Sequence, residues 1–305
     1  MSKPEISVVI PVYNQENYIE EAVLSVLGQE GVDFEVIAVN DGSRDRSGEI
    51  LKKFSDRIRI IDQENQGVAM ARNKGVQNAA GELIALLDHD DLYLPGHLRQ
   101  AVEFANQHPE AIVFYGNAWL IDSAGNKLWV QKSAPRVSLE SLVIANPIIP
   151  SSAIIRKILF AKGEYFQPRG PADDWDLWFR ALELGPLLHY PWLGAAYRKH
   201  PASAIHYNQL QAEAWVFKIL EAVFSRHPEL DEKVKKQALA NAYYESMVRF
   251  LAAGKGREAR SRAIACLGRD PTNFKALTGL MLSAAPQTII EAAVSLRRKI
   301  LKWLA

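Results

Sequence analysis

Residues 6–29 read ISVVIPVYNQENYIEEAVLSVLGQ, and the change of period inside them decides the fold class. Ile6 to Val12 is a short, almost unbroken apolar run, the pattern of a strand buried on both faces. From Asn17 the period lengthens. Ile19, Val23, Val26 and Leu27 fall on one face of a helix, and Asn17 with Glu20 has the spacing of a capping pair at its start. A buried strand that enters an amphipathic helix through a short polar turn is the first half of a βαβ unit.

The alternation repeats through the first 120 residues. FEVIAVNDGS is a strand running into a turn, 45–54 a helix, RIRIID a strand and 68–80 a helix. ELIALLD is again a strand, 96–108 a helix and AIVFYG a strand. Short links between such elements predict an α/β fold, a mostly parallel sheet flanked by helices, with ligands at the carboxyl ends of its strands. Between Trp119 and His206 the pattern is mixed. A helix is expected over VSLESLVIAN, a strand over SSAIIR, and a helix over DDWDLWFRALELG that packs Leu177, Ala181 and Leu184 inward and stops at Gly185. Beyond that the chain reads as all-helical, so the expected domains are 1–206 and 207–305. GREARSRAIACLGRDPTNFKAL resembles a single degenerate helical-repeat unit.

The 305 residues suffice for one large or two ordinary domains. A net charge of +1 supplies no global field for nucleic acid. The one cysteine, Cys266, excludes an intrachain disulfide framework and suits the cytosol. MSKPEISVVIPVYN lacks the apolar core and cleavage site of a secretory leader. No stretch reaches the roughly 18–20 apolar residues of a membrane span. The terminal SLRRKILKWLA is amphipathic and basic. It suits either a membrane surface or a helix packed on the domain. The expected location is cytoplasmic, with peripheral contact at the inner face of the membrane through 286–305.

Three polar clusters fall at the predicted carboxyl edge of the sheet: PVYNQEN, NDGS and DHDD. In the last, Asp88 and Asp90 alternate, so they share a face if the strand persists. Paired carboxylates suit a hard divalent cation held against a diphosphate; they equally suit a turn before a helix. Asp41 sits in a tight Asp-Gly turn or faces the cleft as an acceptor for a base N–H. Arg72 lies in the second turn of a helix that follows Gly67. It is either a solvated cation or a group for a pyrophosphate. Asp173, Asp174 and Asp176 crowd a helix start, which the macrodipole favours. The aromatic residues beside them are not explained that way. Trp178 suits the core, and Trp175 an apolar platform for a sugar ring. His200 is a structural histidine or a ligand.

Taken together, SVVIPVYNQENYIEEAVLSVLGQ, VIAVNDGSRDRS, NQGVAMARNKGVQNAAGELIALLDHDDLYLPGHL, DDWDLWFRALELG and YRKH resemble the inverting nucleotide-sugar glycosyltransferases of family 2, whose fold is called GT-A. The likeness covers roughly residues 5–205, in the family's order. It implies that Pro11, Tyr13, Glu16 and Asp41 surround the nucleotide, with Arg72 and Asp88 nearby. Asp88 and Asp90 match the DxD motif, with Asp90 the principal ligand of a Mn²⁺ or Mg²⁺ ion and His200 beside it. Asp174 matches the general base, and Asp173 stands where the family usually has glutamate. Asp91 is left as a helix cap and His89 without a role.

The implied partners are a nucleotide-sugar donor, UDP-linked first, and a glycan or lipid-linked acceptor of polysaccharide biosynthesis. Burial beside Trp175 and neighbouring carboxylates is expected to keep the Asp174 pKa from falling. A nucleotidyltransferase would carry a glycine-rich basic loop after the first strand, where IPVYNQEN stands. A nucleotide-sugar-binding protein with a decayed site would leave the main positions unfilled. P-loop and dinucleotide readings lack GxxxxGK[ST] and GxGxxG.

Overall fold

The structure, a computed structural model, describes residues 3–163, 165–168, 172–200 and 209–285. Strand β1 (Ile6–Val12) is buried along its whole length. It pairs in parallel with β2 (Phe34–Asp41) on one side and β4 (Leu83–Leu86) on the other, and β2 pairs in parallel with β3 (Arg59–Gln63). These strands are joined by helices α1 (Ile19–Leu27), α2 (Ser47–Lys52) and α3 (Val68–Asn78). Ile19, Val23 and Val26 of α1 are buried in a core with Ile6, Val8, Ile10 and Val12 of β1.

The Asn17–Glu20 capping pair does not form. Tyr18 stands at the N-cap and offers no side-chain cap. Gln15 and Glu16 direct their amides instead to Ser47 Oγ and Asp45 Oδ2, at 2.8 and 2.9 Å. At the helix start itself, Tyr18 N and Ile19 N both donate to the Gln15 carbonyl, at 3.1 and 3.0 Å.

Beyond β4 the sheet becomes mixed. After β5 (Leu92–Tyr93) and α4 (His97–Gln107) come β6 (Val113–Ile121), β7 (Lys127–Gln131) and β8 (Ile154–Arg156). Helices α6 (Ile158–Ala161) and α7 (Asp173–Leu184) precede the long β9 (Leu187–Arg198). Among the described residues the strand order is β3-β2-β1-β4-β8-β6-β9-β5, with β7 on β6. β8 is antiparallel to both β4 and β6, β9 is parallel to β6, and β5 is antiparallel to β9. Between β4 and β5 the chain leaves the sheet and rejoins it on a different strand. The residues spanning that gap are Leu87 to Asp91. On α7, Leu177 and Ala181 are buried as expected, whereas Leu184, at the end of the last turn, is exposed. Gly185 ends the helix in an extended conformation.

The chain divides into two units. The first comprises 1–137 and 147–200, and the second comprises 138–146 and 201–305. The segment 138–146 carries α5 (Leu139–Ile144), so a helix that the sequence-derived division assigned to the first domain belongs with the second. The division drawn at residue 206 and the basic helix expected over 286–305 lie outside the described residues. The second unit contains α8 (Gln209–Arg226), α9 (Glu232–Ala252), α10 (Gly256–Leu267) and α11 (Phe274–Leu282). Tyr244, Met247, Phe250, Ala263, Cys266 and Ala276 form its core. The single repeat-like stretch is the hairpin of α10 and α11. Asn241 ties α9 to α5 by donating to the Ile144 carbonyl at 2.7 Å. No helix among the described residues is long and apolar enough to cross a membrane.

Candidate active site

The loops after β1 and β2 are joined to each other. Asn14 adopts a left-handed backbone with φ 49°, the only non-glycine residue described to do so. Asparagine tolerates that conformation better than most residues. Its N–H donates to Ser43 Oγ at 3.1 Å, and its Oδ1 accepts from Arg44 N at 2.8 Å. Glu16 accepts from both the backbone N and Nε of Arg46, each at 3.0 Å, and these bonds hold its carboxyl below the usual range. Tyr13 is exposed and Pro11 buried at the same edge. Asp41 is buried and already engaged. It accepts from Gln63 Nε2, Gln66 N and Gly67 N at 2.7–2.9 Å, so it orders the loop that leads into α3.

His89, which had no role from the sequence, joins this edge to the acidic turn. Its Nδ1 donates to the Pro11 carbonyl at 2.8 Å. A carbonyl can only accept, so this contact places the proton on Nδ1. Tyr13, Glu16 and Asp41 make no hydrogen bond to the acidic turn among the described residues.

Within the turn the three aspartates have separate surroundings. Asp91 is not a helix cap; α4 starts six residues later. It is fully buried, accepting from Ser151 Oγ at 2.5 Å and from Arg198 N at 2.8 Å. Burial, then Asp90 and Asp88, push its carboxyl well above the usual range. Ser151 Oγ also accepts from Asp88 N at 3.1 Å, so one hydroxyl fixes both ends of the turn. Asp90 Oδ2 lies 2.8 Å from His200 Nε2. Arg198 donates from Nε to the Asp90 carbonyl at 2.8 Å and from Nη2 to Glu21 at 2.6 Å. The Tyr18 ring packs on both the Arg198 guanidinium and the His200 imidazole. Asp88 Oδ1 accepts from Arg72 Nη2 at 2.6 Å.

Arg72 is not solvated. It is 3% exposed and reaches from Asp88 to Asp173, meeting both Asp173 oxygens through Nη1 at 3.0 and 2.9 Å. Burial opposes its charge, but Asp173, Asp88 and Asp174 outweigh burial and raise its pKa. Burial pushes the Asp173 carboxyl up, against the pull of Arg72. Asp174 is also buried at the start of α7. Asp176 is held by Arg180 at 2.9 and 3.1 Å, one helical turn on. Trp178 is core, as expected. Trp175 is only 8% exposed and packs 5.6 Å from the Phe179 ring.

Sequence reasoning missed Tyr197. Pairing of Leu92 with Ala196 brings Tyr197 beside Asp91. Its hydroxyl makes no hydrogen bond among the described residues. Burial and the charges of Asp91, Asp88, Asp90 and Asp174 raise its pKa. Its only sequence signal was a place in YRKH, three residues before His200.

No group of three or more His, Cys, Asp or Glu side chains poised around a metal exists among the described residues. The donor set nevertheless suits a hard or borderline cation. Asp88 Oδ2 and Asp90 Oδ1 accept no hydrogen bond among the described residues, both carboxylates are partly exposed, and the His200 nitrogen adjoins Asp90. The cluster is also rich in carboxylates. Asp88, Asp90, Asp91, Asp173, Asp174 and Asp176 face the guanidinium groups of Arg72, Arg180 and Arg198.

Strand order and the acidic turn define a GT-A type of sheet, and the comparisons agree. Residues 7–161 match the family described as Glycosyl transferase family 2, and the chain belongs to that family. It is 36% identical over 190 residues to an uncharacterized glycosyltransferase of Rickettsia typhi, a match that covers 59% of each protein. It thus spans about three-fifths of the length of that relative. A putative glycosyltransferase of Bacillus subtilis, EpsH, is 37% identical over 116 residues, which cover 37% of this chain and 34% of EpsH.

Among solved structures, S. aureus TarS in complex with UDP-GlcNAc superposes with a TM-score of 0.62 at 19% identity, covering 95% of this chain and 92% of that one. The mannosyltransferase PcManGT from Pyrobaculum calidifontis, in complex with GDP-Man and Mn²⁺, gives 0.59 at 16% identity, covering 94% and 88%. At such identities the likeness establishes the fold.

Proposed function

We propose that the chain transfers a sugar, with inversion, from a nucleotide-diphosphate donor to a hydroxyl of a glycan or lipid-linked acceptor. The observation that carries this reading is the meeting of Asp88, Asp90, Asp173 and Asp174 at one edge of the sheet. They come from two segments about 85 residues apart, bridged by Arg72. Membership of the family supports it. So do the nucleotide sugars bound by TarS and PcManGT, with UDP the first donor to test.

In this reading Pro11, Tyr13, Glu16 and Asp41 form the nucleotide end, and the acidic turn faces the diphosphate. Asp90, with Asp88 and His200, would hold a divalent cation, which supplies positive charge to the leaving diphosphate. Asp174 takes the proton of the acceptor hydroxyl as its oxygen attacks the anomeric carbon. The new C–O bond forms as the bond to the diphosphate oxygen breaks on the opposite face. An α-linked donor then gives a β-linked product. Trp175 and Asp173 border the acceptor side.

The test is a screen of UDP-, GDP- and dTDP-sugars, with and without Mn²⁺, on wild type, Asp90→Ala and Asp174→Asn. Asp174→Asn is expected to retain donor binding while transfer falls by about 10²–10⁴-fold. Asp90→Ala is expected to lose Mn²⁺-dependent donor binding. Full activity in either variant overturns the role assigned to that residue.

A further inference from the structure

We propose that Arg72 is a positioning residue that sets the acceptor-side carboxylates against the acidic turn, rather than a contact for the donor diphosphate. The inference rests on the transfer reading above. Arg72 spends one guanidinium branch on both oxygens of Asp173 and the other on Asp88. Its Nε is buried with no partner among the described residues, and the Phe166 ring lies 5.5 Å from the guanidinium carbon. A group 3% exposed and committed on both branches has no open face to offer a diphosphate.

The neighbouring residue supports the same role. Asn73 is buried and bonds Phe166 reciprocally. Its Nδ2 donates to the Phe166 carbonyl at 2.8 Å, and its Oδ1 accepts the Phe166 N–H at 2.9 Å. Phe166 lies in the segment that leads into α7, and Asp173 is the first residue of that helix. Successive residues of α3 therefore hold Phe166 and the first residue of α7. Asp174 follows Asp173 directly, so the direction in which its carboxylate projects is set through the Arg72–Asp173 pair. Asp88 is on the other branch, so one side chain fixes the spacing between the donor and acceptor sides. Only a planar two-branched cation spans two carboxylates this way; a lysine ammonium is a single point.

The variants are Arg72→Lys, Asp173→Asn and their combination. Donor affinity is measured by calorimetry with UDP-sugar and Mn²⁺, transfer by steady-state kinetics, and the helix start by amide exchange over 173–177. Arg72→Lys is expected to lower kcat by about 10²-fold, the scale of a misplaced catalytic group. Donor Kd should stay within about threefold, and exchange at the start of α7 should rise while β1 is unchanged. The double variant should lose no more than the worse single one, because both break the same link.

A donor Kd raised tenfold or more with kcat intact would overturn the inference in favour of direct diphosphate contact, as would effects that multiply. If Arg72→Lys does not fold, Asp173→Asn carries the test, because it leaves Arg72 paired with Asp88. An inactive wild type would fail the transfer reading instead. The exchange at 173–177 would still report on the clamp.

Discussion

His97 begins α4 completely buried, and neither ring nitrogen has a hydrogen-bond partner among the described residues. The rings of Tyr93 and Tyr190 lie 4.6 and 5.9 Å away, centroid to centroid. Gly194 makes the room for it, since a Cβ there would stand 2.3 Å from Nδ1. Burial alone lowers the imidazole pKa from 6.5 to about 3. The folded protein therefore holds His97 neutral, while the unfolded chain binds a proton below about pH 6.5. The contribution is intact above that value and is lost as pH falls toward about 3. At about pH 5 the unfolded state gains about 1.5 logarithmic units of proton binding that the fold refuses, or about 2 kcal/mol.

Urea titrations at about pH 7.5 and about pH 5 read this directly, on wild type and His97→Leu. Carboxylates elsewhere act on both proteins, so the difference between their pH-dependent losses isolates the histidine. Wild type should lose about 2 kcal/mol more than the variant. Equal losses would mean that His97 is protonated or solvated in the fold, and would refute the packing described. The matter touches the site. Tyr190, whose ring lies tilted beside His97, donates to the Ser152 carbonyl at 2.5 Å, and the adjacent Ser151 fixes Asp88 and Asp91.

Tyr197→Phe removes only a hydroxyl whose pKa is raised by burial and by the charges of Asp91, Asp88, Asp90 and Asp174. Because that hydroxyl makes no hydrogen bond among the described residues, the variant should unfold within about 0.5 kcal/mol of wild type in urea; a larger loss would show that the hydroxyl is bonded in the fold. Gly116→Ala would place a Cβ 1.7 Å from the Tyr190 ring, so it should cost at least about 1–3 kcal/mol in urea or yield insoluble protein. An unchanged midpoint would show that the ring does not pack there. In the helical unit, Arg262 meets both oxygens of the buried Glu213 at 2.8 and 3.0 Å. Arg262→Met should lower stability by about 1–3 kcal/mol, because the carboxylate is left without its donor. Circular dichroism during urea unfolding checks this, and a change under about 0.5 kcal/mol would contradict it.

The parallel half of the sheet was legible because β1, β2 and β4 carry continuous apolar runs with short links. Helix ends were read less well. The helix expected over 45–54 is α2 (Ser47–Lys52), and that over 68–80 is α3 (Val68–Asn78). Strand β9 escaped notice because Pro191 and Gly194 interrupt its pattern, and its pairing with β6 shifts register twice. Strand β5 has two residues, too few to show a period. Asp88, Asp90, Asp173, Asp174 and His200 were visible as motifs, but their division of labour was not. That Asp91 is a buried anchor and Arg72 a bridge depends on Ser151, Arg198 and Asp173. Nothing local in the sequence announces those partners, which lie 60–107 residues away.

Those distances also fix an order of assembly. A ribosome adds about 5–20 residues per second, and domains form largely as they emerge. β1 through β4 can pair among themselves once residue 86 has emerged, before Ser151, Asp173 and Arg198 have been supplied. The aspartates that follow then wait for Ser151, Asp173 and Arg198, and the loops that must close to bring them in are long. The acidic turn therefore closes only once the chain has reached Arg198, as does the pairing of β9 with β6. In pulse-labelled refolding, the amides of residues 88–93 should gain protection after those of β1 and β2. Until then the nascent chain holds a sheet whose acidic turn is unanchored, so a chain stalled before β9 would lack the bonds from Arg198 to Asp90 and Asp91.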